Sequence, residues 1–132
     1  MIRKLFVLVF AFGLAACADR QITERFDVSG WHTGDPAHKS IQFVVNGDLI
    51  GPPITYGKSS GTYVVEIVVG RGNYNTSTGP SNGVTSANVV LGVMDVETKT
   101  IFLTTQSCYV SKYQVTNFMY ERSFGRDSLY CR

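Results

Sequence analysis

With 132 residues, 44% of them hydrophobic, the chain has material for one domain and too little for two domains with separate cores. Its formal charge of +2 equals the contribution of Arg3 and Lys4; beyond them Arg20, Arg25, Lys39, Lys58, Arg71, Lys99 and Lys112 stand singly, and Glu121 and Asp127 offset Arg122, Arg126 and Arg132. That distribution excludes the basic stripe of a nucleic-acid-binding protein.

Arg3 and Lys4 precede an apolar run, Leu5 to Leu14. The run has the length and flanks of a secretory signal rather than of a membrane span, which needs about 20 apolar residues as a helix. It closes with Leu14-Ala15-Ala16-Cys17 and turns polar at Asp19, Arg20 and Gln21. These four residues resemble the lipobox of bacterial lipoproteins, a branched residue and two small ones before an obligatory cysteine. The resemblance covers residues 1–17. It implies removal of residues 1–16, a diacylglyceryl thioether on Cys17, acylation of the new amine by chains such as palmitate, and a membrane partner held through that lipid. Ala18, where an aspartate favours inner-membrane retention, implies the outer membrane of the cell envelope and a domain in the periplasm. Each buried methylene adds about 0.8 kcal/mol, so two or three acyl chains hold a protein almost permanently.

With Cys17 assigned to lipid, Cys108 and Cys131 are the only remaining pair. An oxidising compartment favours their disulfide, closing a loop of about 24 residues and contributing roughly 3 kcal/mol on the chain-entropy account.

Residues 17–22 read as a short lipidated tether and residues 23–132 as a single β-rich domain. Thr23 to Val28 alternates weakly, with Phe26 and Val28 on one side, and forms a first strand. Ser29 to Ser40 reads as a turn-rich loop holding Trp31, His32, His38 and Asp35-Pro36. Ile41, Phe43 and Val45 alternate up to Asn46-Gly47, the residues a type I′ hairpin turn requires. Gly51-Pro52-Pro53 then stops ladder pairing, because proline has no N–H to donate. Thr62 to Val69 is the clearest strand, with Tyr63, Val65, Ile67 and Val69 on one face. Gly70 to Ser86 lacks any hydrophobic period and is expected to be mobile or a binding loop. Ala87 to Val96 and Lys99 to Gln106 form a second hairpin that continues to Cys108, and Val115 to Tyr120 and Ser128 to Cys131 make two last strands around Gly125. No segment keeps a 3.6-residue period, so the expected fold is all-β, a small antiparallel sandwich or barrel of about seven to eight strands with one disulfide.

Residue chemistry offers little catalysis. His32 and His38 with Asp35 match no zinc spacing and read as solvated loop histidines; no metal and no cofactor are expected. Ser29, His32 and Asp35 form a nominal nucleophile, base and acid, without the G-x-S-x-G elbow. Asp95 and Glu97 flank a turn, and Gly70-Arg71-Gly72 lacks the lysine and helix of a phosphate loop. The expectation is therefore a non-catalytic binding or accessory domain and not an enzyme, with a periplasmic hydrolase as an alternative that requires His32, Asp35 or a serine to converge in a cleft. Tyrosine is abundant, with seven in the chain; its broad ring and polar tip suit a protein or glycan partner. Tyr74 stands out because it sits among glycines and asparagines. Ser59-Ser60-Gly61-Thr62-Tyr63 resembles the serine-glycine-tyrosine stretch of the lipoprotein inhibitors of c-type lysozyme, small periplasmic β-barrels that insert a loop into the enzyme cleft. That resemblance implies an inhibitor of lysozyme with Ser59, Ser60 and Tyr63 as binding-loop residues; an inhibitor acting on an incoming phage is the other form of this alternative, and Tyr74 is a further binding-loop candidate from its own loop.

Overall fold

A computed structural model describes residues 20–34, 37–72 and 84–132. Among these residues eight strands follow one another: β1 (Arg20–Gly34), β2 (Ser40–Val45), β3 (Asp48–Thr55), β4 (Ser59–Gly72), β5 (Ser86–Asp95), β6 (Thr100–Ser111), β7 (Thr116–Ser123) and β8 (Arg126–Cys131). They make two four-stranded sheets, ordered β4-β1-β7-β8 and β3-β2-β5-β6, with no helix among the described residues. Pairing is antiparallel except between β1 and β7, which run parallel from Val28 beside Thr116 to Gly34 beside Arg122.

β1 is longer than its apolar alternation indicates. It starts at Arg20, inside the stretch expected to be tether, and runs through Gly34, inside the stretch expected to be loop. Glu24, Phe26, Val28, Gly30 and His32 all turn to the core, so the period of two continues through residues that are not apolar. Glu24 is held there by the Lys112 ammonium, which donates to its Oε1. Gly30 is needed because a Cβ there would stand 2.7 Å from Ile54 Cδ1 and 2.8 Å from the Phe43 ring. The ladder between β1 and β4 also slips between Ser29 and Trp31, and there the Gly30 N–H donates to Ser60 Oγ at 2.7 Å.

The first hairpin turns at Asn46 and Gly47, whose φ angles of 51° and 88° are those of a type I′ turn. β3 continues past the prolines, but the ladder to β2 jumps from Phe43–Ile50 to Ile41–Ile54, leaving residues 51–53 without partners. Gln42 Nε2 bridges that gap by donating to the Gly51 carbonyl at 2.8 Å. Because β3 is an edge strand, the missing N–H groups cost no second ladder.

In β4, Val65 and Ile67 are buried and Tyr63 and Val69 half-buried, while Thr62, Val64, Glu66 and Val68 face out. Segment 73–83, most of the expected long loop and Tyr74 with it, lies outside the described residues. Between the sheets Phe26, Val28, Val65, Ile67 and Phe118 meet Ile41, Phe43, Val89, Leu91, Val93 and Val110. The rings of Phe43 and Phe118 tilt against each other at 5.8 Å. Cys108 on β6 and Cys131 on β8 are joined, their Cα atoms 5.6 Å apart. Since β6 and β8 are edge strands of different sheets, the bond closes one open side of the sandwich rather than tying the last strand to the middle of a sheet.

Candidate functional site

The outer face of the β4-β1-β7-β8 sheet is built from the residues that alternate away from the core. Ser29 lies beside Asn117, Trp31 beside Met119, and Met119 beside Tyr130. The Trp31 indole N–H donates to Ser29 Oγ and to Asn117 Oδ1, both at 3.1 Å. Ser29 Oγ donates in turn to Asn117 Oδ1 at 2.7 Å, and Asn117 Nδ2 donates to the Arg132 carbonyl at 3.3 Å. Both partners of the indole are rooted in the same face, so these bonds lay the ring down over the sheet. Met119, 7% exposed, fills the space beside it, while Trp31 keeps 39% and Tyr130 37% of their surface in solvent. Tyr130 is fixed as well, donating to Glu121 Oε2 at 3.2 Å. The result is an apolar shelf whose indole and phenol are each tied down by hydrogen bonds, with polar groups along its rim.

A second cluster plugs one end of the sandwich. His32 is fully buried, correcting the expectation of a solvated loop histidine. Its Nε2–H donates to the His38 carbonyl, leaving Nδ1 unprotonated, buried and without a partner among the described residues. The ring rests 5.2 Å from that of Tyr120 and 5.7 Å from that of Tyr56. His38 is held by Asp95 Oδ2 at 2.6 Å and stacks on Phe102 at 3.8 Å. Tyr120 and Arg122 both donate to Asp127 Oδ1, at 2.7 and 2.9 Å. Hydrogen bonding from His38 holds the Asp95 carboxyl below its usual range. Burial pushes the Asp127 carboxyl up, but the bonds from Tyr120 and Arg122 outweigh it and hold Asp127 low. Burial likewise drives the Tyr120 phenol up.

Burial lowers the His32 pKa from its ordinary 6.5, opposed by the bond to the His38 carbonyl. The unfolded chain therefore binds this proton more readily than the folded one, and the contribution of neutral His32 is complete above pH 6.5 and declines as pH falls below it. His32→Gln, which has no imidazole to protonate, is expected to flatten the unfolding midpoint between pH 6.5 and 5 relative to the parent. Equal slopes in the two proteins contradict this assignment.

The residues singled out in sequence are distributed as follows. Cys17, Asp35 and Tyr74 lie outside the described residues. Ser59 and Ser60 open β4, Ser59 exposed beside Trp31 and Ser60 accepting from Gly30 while donating to the Gly61 carbonyl at 2.7 Å. Tyr63 turns inward over Gly51, where a Cβ would lie 2.5 Å from its Cζ, and burial pushes its phenol up. Ser29 and His32 point to opposite faces of β1, so these two members of the nominal catalytic trio do not meet. Among the described residues no three His, Cys, Asp or Glu side chains gather as a metal site would need. An open cavity of about 290 Å³ lies at the other end, beside Asn46, Asp48 and Glu66.

Sequence reading missed the shelf because its parts, Ser29, Trp31, Asn117, Met119 and Tyr130, come from strands far apart in the chain. The one available signal was a lone tryptophan two residues after a serine, the spacing that shares a strand face. No protein family, curated protein or solved structure matches this chain.

Proposed function

We propose that this is a lipid-anchored protein of the bacterial envelope, held through Cys17, whose sandwich binds a partner and catalyses nothing. One observation carries the binding reading: an exposed indole whose N–H is fixed by two acceptors and whose neighbours are Met119 and Tyr130. Aromatic surface immobilised before binding loses little entropy when a ligand covers it. A flat ring with polar groups at its border suits the C–H face of a sugar, so an envelope glycan is the favoured partner and a protein the second. The separation of Ser29 from His32 supports a role without hydrolysis, since a nucleophile and its base must stand within hydrogen-bond reach.

The anchor is read by intact mass of the membrane-extracted protein beside Cys17→Ala. A chain beginning at Cys17 with added acyl mass, lost in the variant, is expected; an unlipidated product overturns the anchored reading. The binding half is read by retention on insoluble envelope glycan, which Trp31→Ala is expected to abolish.

A further inference from the structure

Cations that are scattered in sequence gather in the fold. The strand directions bring four connections to the end of the sandwich where β1 finishes: the residues leading into β2, the β3–β4 turn, the β5–β6 turn and the β7–β8 turn. Backbone bonds knit three of them together. Tyr56 N–H donates to the Lys39 carbonyl at 2.8 Å, His32 N–H to the Lys58 carbonyl at 3.1 Å, and Val96 N–H to the Ser40 carbonyl at 3.0 Å. The fourth is joined to β1 through the pairing of Gly34 with Arg122.

Lys39, Lys58, Lys99 and Arg126 are all exposed at this end, and none forms an ion pair among the described residues. Of the acidic groups described there, Asp95 is taken by His38 and Asp127 by Arg122, leaving Glu97 and Glu121, the latter accepting from the Tyr130 hydroxyl, against the four cations. At the apex of the β7–β8 hairpin stands Phe124, 98% exposed. Its φ of 51° lies in the left-handed region, where Asn46 of the first hairpin is at home and a bulky aromatic residue is a genuine outlier. A phenyl ring here opposes both the backbone preference and the cost of wetting an apolar side chain.

We infer that this end docks on an anionic phospholipid surface, with Phe124 entering the acyl region and Lys39, Lys58, Lys99 and Arg126 at headgroup level. The shape favours lipid over an acidic protein. A fully exposed phenyl ring at a hairpin apex, with exposed cations on three other connections around it, suits a fluid bilayer, which moulds itself around such a tip. The inference does not depend on the anchor. β1 extends roughly 45 Å from Arg20 to Gly34 at about 3.3 Å per residue, so Phe124 stands at the end far from Arg20, and the surface it meets is a different one from a bilayer that would hold the chain ahead of Arg20.

The test uses the full chain carrying Trp31→Phe and Phe124→Trp, so that the single indole sits at the apex, mixed with vesicles whose acyl chains are brominated. On phosphatidylglycerol-rich vesicles the emission is expected to shift blue and be quenched by bromine, and on pure phosphatidylcholine it is expected to do neither. Changing the four cations singly to glutamine weakens the effect about fivefold each, as roughly one unit of headgroup attraction per charge requires. In the parent background, Phe124→Ser weakens vesicle binding about tenfold or more, with an unchanged thermal transition showing that the fold is intact. An indole that stays open to aqueous iodide and untouched by bromine while the protein sits on anionic vesicles overturns the inference. So does equal insertion on neutral and anionic lipid.

Discussion

Gly34→Ala is expected to lower the unfolding midpoint by about 10 °C or more. Gly34 ends β1 with φ of +89°, and a Cβ there would stand 1.8 Å from the Arg122 carbonyl oxygen and 2.7 Å from the Arg122 nitrogen. Nothing flexible can yield, because both atoms are backbone in the parallel ladder between β1 and β7. Left-handed strain alone costs about 1 to 2 kcal/mol, and breaking the last rung brings the total to roughly 3 kcal/mol or more. Gly57→Ala is the matched control, since Gly57 has φ of +81° but nothing within 4 Å of its would-be Cβ. It is expected to show the strain alone, about 1 kcal/mol. Thermal unfolding of the two variants separates the terms, and equal losses contradict the close packing of β1 on β7.

Trp31→Ala is expected to weaken partner binding about a hundredfold, the loss typical of a central aromatic anchor. The substitution removes the shelf and leaves the fold, because Trp31 points away from the core and 39% of it is already exposed. Asn117→Ala provides the finer reading. It keeps the ring but removes one acceptor of the indole N–H and the acceptor of Ser29 Oγ. Loss of orientation without loss of area is expected to weaken binding about tenfold, mostly through faster dissociation. Asn117→Ala binding as tightly as the parent contradicts the role given to the fixed indole.

The strands most legible in sequence are those whose apolar alternation coincides with burial. Ile41, Phe43 and Val45, Val65 and Ile67, and Val89, Leu91 and Val93 are all in the core, and Asn46-Gly47 turns where its φ preferences place it. The pairing of Cys108 with Cys131 follows from counting once Cys17 is set apart. β1 is where the pattern fails, and for a physical reason. Its core-facing row includes Glu24, Gly30 and His32, made acceptable by Lys112, by the Phe43 ring filling the place of a side chain, and by the His38 carbonyl. Lys112 and Phe43 lie far along the chain, and the His38 carbonyl, though only six residues on, is a backbone group that no residue type announces. The parallel contact of β1 with β7 is equally invisible, since it joins residues almost ninety positions apart. Surface sites suffer most, because a sheet face is assembled across strands and a sandwich end across alternate turns. Lys39, Lys58 and Lys99 look isolated only until β2 to β6 fold back on one another.

The shelf carries its own reporter, because Trp31 is the only tryptophan in the chain. Its emission, followed while the wild-type protein is titrated with soluble envelope glycan fragments and, separately, with detergent-solubilised envelope extract, tests the proposed binding role most directly. A saturable shift in emission with protection from acrylamide is the predicted result, strongest with the glycan fragments. Emission and acrylamide quenching that remain those of the free protein in both titrations contradict the account.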